Sequence, residues 1–152
     1  MVFRIIIFLC MINLFAFSAQ KIEVYAKDFY LDEKSETSIL TGDVEVKKGK
    51  DILNSQKLII YMKNKQPLKY IATNNAKFKI TMKDKTYHGS GDEFIYNVSK
   101  DTYEINGHAK IIEEPTNKEL FGDKIIVDRK NMTYRVFSKD KKPVKFVFEV
   151  KE

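Results

Sequence analysis

Asp51 to Lys63 reads DILNSQKLIIYMK, and the reading of this stretch decides the fold. Leu53, Lys57 and Ile60 stand at helical spacing, so a helix can be drawn through it. Related segments elsewhere in the chain argue for a strand. Ser55-Gln56-Lys57-Leu58-Ile59-Ile60 repeats the pattern of Ala26-Lys27-Asp28-Phe29-Tyr30-Leu31, and Gly91-Asp92-Glu93-Phe94-Ile95-Tyr96 and Gly122-Asp123-Lys124-Ile125-Ile126-Val127 repeat it again. Each copy is one small residue, two polar residues and an apolar triplet, at offsets of 29, 36 and 31. A second unit alternates with the first: Thr41-Gly42-Asp43-Val44, Thr73-Asn74-Asn75-Ala76 and Asn106-Gly107-His108-Ala109. Two units that alternate along a chain are the mark of consecutive strands in a hairpin array, one supersecondary unit repeated.

Outside that stretch the dominant period is two. Thr41 to Lys47 alternates apolar and charged residues, as does Ala76 to Lys83, and Lys145 to Lys151 less strictly. Such alternation gives a strand one buried and one wet face. Turn-forming residues separate the runs at Lys63-Asn64-Lys65-Gln66-Pro67, Ser99-Lys100-Asp101, Glu114-Pro115-Thr116-Asn117 and Asp140-Lys141-Lys142-Pro143. The fold class is all-β, as a sandwich, barrel or roll. Register follows from aligning the repeats. Phe29/Leu31, Leu58/Ile60, Phe94/Tyr96 and Ile125/Val127 are equivalent positions in one unit, and Val44/Val46, Ala76/Phe78 and Ala109/Ile111 in the other. Their neighbours Asp43, Glu45, Lys77, Lys79 and Lys110 are charged, so the apolar sets share an inward face. A slip of one residue would bury those charges.

The chain has 152 residues, with 27 Lys+Arg against 21 Asp+Glu. That size suits one domain plus a targeting segment. With 43% apolar and 32% charged residues it is neither a disordered tail nor a multispan membrane protein. Met1 to Arg4 is a short basic region, and Ile5 to Phe17 (IIIFLCMINLFAF) is a run of 13 residues broken in polarity only by Asn13. As a helix it spans roughly 20 Å, short of the ~30 Å hydrocarbon core. Small residues at Ala16 and Ser18 then suit cleavage before Ala19, so residues 1–18 read as a secretory signal peptide and residues 19–152 as the folded domain. Retention of the segment as an inner-membrane anchor is the alternative.

The chemistry available is thin. Cys10 is the only cysteine, so no disulfide framework or cysteine-based zinc site is expected. His88 and His108 both fall at wet positions of the alternation. Gly89-Ser90-Gly91 belongs to a strand pattern with no helix after it, so it is not a nucleophile elbow. Glu113-Glu114 and Asp92-Glu93 are adjacent in sequence rather than facing across a cleft, which does not suit acid–base work. No enzyme, metal or cofactor is expected. The basic excess carries no arginine cluster, and the aromatics lie on the inward face, away from any stacking role, so nucleic acid is not an expected partner. Dispersed lysine better serves to blunt strand edges.

Leu40-Thr41-Gly42-Asp43-Val44-Glu45-Val46 followed by Ser55 to Tyr61 resembles the opening of the OstA-like family. Gly91 to Tyr96, Ile105-Asn106-Gly107-His108-Ala109 and Leu120 to Ile125 continue the resemblance in order, from about Ile22 to Phe137. The resemblance implies an OstA-like β-jellyroll: two antiparallel sheets forming an open V-shaped slab with an apolar interior groove. It implies a periplasmic protein that binds lipopolysaccharide, shields the lipid A acyl chains and bridges the inner- and outer-membrane parts of an export machinery. The implied partners are LptC-like inner-membrane proteins, LptD-like outer-membrane proteins and further copies of the chain, joined head to tail. An LptC-like anchored assembly subunit is the alternative within the same system. Carried over by motif, the lipid contacts are Ile22, Phe78, Tyr96 and Val98. Ile60 and Ile111, inward by register, join them. All six equally suit plain core packing, and the sequence leaves the two roles open.

Overall fold

The computed structural model describes residues 21–152, so the expected signal peptide over residues 1–18 lies outside the described residues. Among the described residues ten strands form one antiparallel sheet that does not close into a barrel. Six long strands, β3 (Thr37–Lys48), β4 (Asp51–Lys63), β5 (Gln66–Met82), β6 (Lys85–Asn97), β7 (Thr102–Glu114) and β8 (Lys118–Asp128), form a meander in which each pairs with the next. They run from 11 to 17 residues, longer than most strands in globular proteins, because each one crosses two walls. Both edges are divided. On β3, β1 (Ile22–Tyr25) pairs with one half and β2 (Asp28–Asp32) with the other. On β8, β10 (Lys145–Val147) and β9 (Thr133–Phe137) do the same. The sheet is therefore two leaves, one ending in β1 and β10 and the other in β2 and β9, joined by the six long strands, which run through a crease.

The crease is where the two repeated units of the sequence lie. Pairing is interrupted between Thr41 and Val44, between Thr73 and Ala76, and between Asn106 and Ala109. In each gap two residues of one strand oppose one of the next, the arrangement of a bulge, which bends a strand and sharpens its twist. The bulged pairs are Gly42-Asp43, Asn74-Asn75 and Gly107-His108, and all six residues have left-handed backbone, with φ between 45° and 81°. Gly, Asn and Asp tolerate that region best, which accounts for their recurrence. The opposing residue, Gln56, Asp92 or Asp123, comes from the first unit. Gln56 Nε2 donates to Asp43 Oδ1 of the bulge it opposes at 3.1 Å, whereas Asp92 opposes Asn74-Asn75 and meets His108 Nδ1 on β7, its other neighbour, at 3.0 Å. The small residue of that unit sits inside the fold. A Cβ at Gly91 would lie 2.4 Å from Ile105 Cγ2, and one at Gly122 would lie 2.6 Å from Val136 Cγ1.

The inward faces of the leaves meet as the core. Leu40, Leu58, Ala72, Phe94, Ile105 and Ile125 come from the β2/β9 leaf, and Val44, Ala76, Phe78, Ala109 and Ile111 from the β1/β10 leaf. Leu58, Ile105 and Ile125 are fully buried, each a gain of roughly 1.5–3 kcal/mol over exposure. The middle residue of each apolar triplet points outward instead. Tyr30, Ile39, Ile59, Ile71 and Ile95 are consecutive cross-strand partners on the outer face, a ladder of half-buried isoleucines behind the exposed Tyr30. Such pairs stabilise a sheet by roughly 0.2–1 kcal/mol each.

Two expectations change. Phe29 and Leu31 have the inward register, opposite Leu40 and Ser38, but are 60% and 47% exposed. They lie on the outermost strand of their leaf, beyond the overlap of the two walls. The last strand, expected over Lys145 to Lys151, ends at Val147. Its partner supplies only Glu119, Leu120 and Phe121 before β8 reaches its first residue and the preceding turn.

Candidate functional site

Between the leaves the packing is incomplete, and the gaps line up. A first cavity of about 130 Å³ lies towards β1, with Val46, Leu53 and Ile80 on one wall and Tyr70, Phe94 and Tyr103 on the other. A second, of about 20 Å³, shares Phe78, Ile80 and Tyr103 with it and adds Tyr87, Ile111 and Tyr134. A third, of about 230 Å³, shares Tyr87, Ile111 and Tyr134 with the second and reaches Leu120 and Phe146 beside β10. Shared walls make these one apolar groove that runs from one divided edge of the sheet to the other.

Aromatic rings form its spine. Phe78 meets Phe94 of the opposite leaf with centroids 4.7 Å apart, Phe94 lies 5.5 Å from Tyr103, and Tyr103 stacks on Tyr96 at 4.4 Å. Farther along, Tyr87 and Tyr134 face each other across the leaves at 6.4 Å. Each such pair is worth about 0.5–1.5 kcal/mol beyond burial. Burial pushes the phenols of Tyr70, Tyr87, Tyr96 and Tyr103 above the ordinary tyrosine range, so they remain neutral. Two of the hydroxyls are turned to polar partners at the rim: Tyr96 donates to Asp101 Oδ1 at 3.3 Å, and Tyr103 accepts from Arg129 Nη1 at 3.0 Å. The surface offered between the leaves is therefore mainly apolar, with Lys48, Asp51 and Arg129 at the first cavity and Glu113 and Lys118 at the third. It suits hydrocarbon.

The family model of the LptA/(LptD N-terminal domain) LPS transport proteins matches residues 23–133. The chain belongs to this family. Among solved structures it is similar to LptH of Pseudomonas aeruginosa, described as the LptA-homologous periplasmic component of the lipopolysaccharide transport device. The similarity has a TM-score of 0.77 at 18% identity and covers 86% of this chain and 96% of that one. At that identity the likeness establishes the fold, the OstA-like β-jellyroll. No curated protein matches the sequence.

Within this LptA-family fold the six expected contacts separate. Ile22, Phe78 and Tyr96 line the first cavity together, and Phe78 and Ile111 line the second. Ile111 also lines the third. Ile60 packs against the core opposite Tyr70 and lines none of the three cavities. Val98 lies one residue beyond β6, in the turn, where its N–H donates to Leu68 O at 3.0 Å. Tyr70, Tyr87, Tyr103 and Arg129 were not among the expected residues. The tyrosines were legible in principle, since Tyr70 and Tyr103 keep the parity of Ala72 and Ile105 on their own strands. Arg129 follows the last long strand, and no periodicity reaches it.

Proposed function

We propose that this LptA-family chain is a periplasmic, non-enzymatic lipopolysaccharide carrier that holds lipid A acyl chains in the groove between its leaves while the sugars stay in water. The observation that carries this reading is the apolar groove itself, walled by both leaves and continuous between the divided edges. Each CH₂ taken from water contributes about 0.8 kcal/mol, so several acyl chains bind without catalytic chemistry. Cavities of about 130 and 230 Å³ are small beside ligand pockets of roughly 300–1,000 Å³. Loading therefore requires the leaves to part, and the bulged crease is where they bend. Lipopolysaccharide titrated into the purified chain binds, and its delipidated polysaccharide does not. Equal binding of the two would place recognition on the sugars and remove the groove reading.

The carrier further bridges the envelope by head-to-tail contact, between copies and with LptC-like and LptD-like partners. Among the described residues the outer sides of β1, β2, β9 and β10 are unpaired edges, ready templates for strand addition. Ile22, Val24, Phe29 and Leu31 are exposed at one end, and Phe146 and Phe148 at the other. A contact between unlike ends grows open filaments rather than closed dimers. Removing Lys145 to Glu152 leaves a folded monomer that no longer assembles with concentration. If truncated and full-length chains sediment alike across a wide concentration range, the bridge fails. A native N-terminus intact from Met1 and held in the membrane favours the anchored assembly subunit instead.

A further inference from the structure

The β1 end of the groove carries charge. Lys48, Asp51 and Arg129 line the first cavity beside its hydrocarbon walls. Lys48 closes β3 on the β1/β10 leaf, and Arg129 follows β8 on the other leaf, so one cation comes from each wall. The acidic groups here already accept hydrogen bonds. Asp51 Oδ1 takes the backbone N–H of Thr81 at 2.9 Å, and Asp101 Oδ1 takes the Tyr96 hydroxyl at 3.3 Å. The cations have donors to spare. Arg129 carries five N–H donors. Its Nη1 reaches Tyr103 at 3.0 Å but stands 3.8 Å from Asp101, and its Nε is buried with no hydrogen-bond partner among the described residues. Lys48 forms no ion pair among the described residues. Burial works against the Arg129 charge, but the hydrogen bond to Tyr103 and the nearby Asp101 carboxylate outweigh it and keep the guanidinium protonated.

We infer that this mouth is a phosphate subsite, in which a phosphoryl group of an amphipathic lipid bridges Arg129 on one leaf and Lys48 on the other. The inference rests on the carrier reading and adds a headgroup to it. Guanidinium matches phosphate oxygens bidentately, whereas ammonium acts as a point charge. A single anion held by both walls ties the leaves together over the acyl chains. Retention of lipid then depends on headgroup charge as well as on hydrocarbon.

The test compares bisphosphorylated lipid A with the same lipid stripped of both phosphates, bound to the full chain at low and high salt. The phosphorylated form binds wild type about tenfold more tightly, the scale of a charge-assisted hydrogen bond, and salt narrows the difference. Arg129→Gln and Lys48→Gln each reduce that preference, read as the ratio of the two lipids' affinities within the same variant. Arg129→Lys keeps part of it. Lys48 is exposed at a strand end, so its variant folds even if loss of the Tyr103 contact unsettles Arg129→Gln. Inorganic phosphate is the third probe, and it binds far more weakly than the lipid. Equal affinity for the two lipids in wild type overturns the subsite and leaves the carrier reading intact. Failure of both lipids to bind wild type overturns both. Inorganic phosphate bound as tightly as the lipid assigns the site to the free ion and overturns the headgroup assignment.

Discussion

Gly89→Ala tests the packing that joins the two leaves. Gly89 in β6 is the cross-strand partner of Phe78 in β5, and the Phe78 ring lies over it. A Cβ added at Gly89 would stand 1.9 Å from Phe78 Cζ and 2.1 Å from Cε1, far inside van der Waals contact. The ring cannot simply rise, because Phe94 of the other leaf lies 4.7 Å away on its far side. Overpacking of this kind costs about 1–3 kcal/mol, and with two rings obliged to move the expected loss is near the top of that range. Phe78→Ala alone costs about 3 kcal/mol, the low end for a buried Phe, since the void opens into the groove. In the double variant the new methyl group meets no ring and occupies part of the space left by it. Its cost is therefore about 3 kcal/mol rather than the sum of the two, a coupling near the upper limit for residues in contact. Urea unfolding followed by far-ultraviolet circular dichroism measures all four proteins. Additive losses within about 0.5 kcal/mol would refute the reasoning, because Gly89 would then not be kept free of a side chain by Phe78.

Other consequences follow from single residues. Glu113 is 12% exposed, and although burial disfavours its charge, Thr116 at 2.7 Å and Lys85 at 3.1 Å outweigh that and hold its pKa below the ordinary 4.5. Its contribution is present above that ordinary value and is lost as pH falls through the lowered one. Glu113→Gln therefore costs about 1 kcal/mol of stability near neutral pH, read as a lower urea midpoint, and has no effect at strongly acid pH, where the two chains unfold alike. The buried phenols act in the opposite sense. Their raised pKa values give stability that is complete below 10.0 and is lost as pH climbs beyond it. Ultraviolet titration finds four tyrosines ionising only with unfolding, and free ionisation of all eight in the folded chain would contradict this. At the crease, Asn75 holds φ 62°. Asn75→Val loses about 1–2 kcal/mol there whereas Asn75→Gly loses nothing measurable, as thermal melts of the two variants report.

How far the sequence could be read depended on the crease. In β5 the inward residues Tyr70, Ala72, Ala76, Phe78 and Ile80 keep one parity across the bend, because the bulge puts one more residue into that strand than into the strands beside it. In β4 the inward set is Leu53 and Ser55 before the bend and Leu58 and Ile60 after it. The phase flips within one strand, and this is why DILNSQKLIIYMK presents helix-like spacing while folding as a strand. The repeats overcame the ambiguity because they record the bend itself: a left-handed pair on one strand faces a polar side chain on the next. Ends were harder to read. Exposure of Phe29 and Leu31 depends on where one wall outruns the other, and the length of β10 depends on where β8 begins. Neither is a property of the local residues. The hydrophobic half of the groove was legible for the same reason as the core, since one inward face supplies both. The charged mouth was not, because Lys48 and Arg129 are far apart in the chain and line one cavity only when the leaves face each other.

The central claim, that acyl chains lie between the leaves, is tested most directly by site-specific photo-crosslinking along β5 in the presence of lipopolysaccharide. Phe78 is 8% exposed and faces the groove, whereas Lys77 and Lys79 beside it are exposed on the outer face. A crosslinker at Phe78, or at Tyr96 across the groove, captures lipopolysaccharide, and one at Lys77 or Lys79 does not. Equal capture from both faces of β5 would contradict the account.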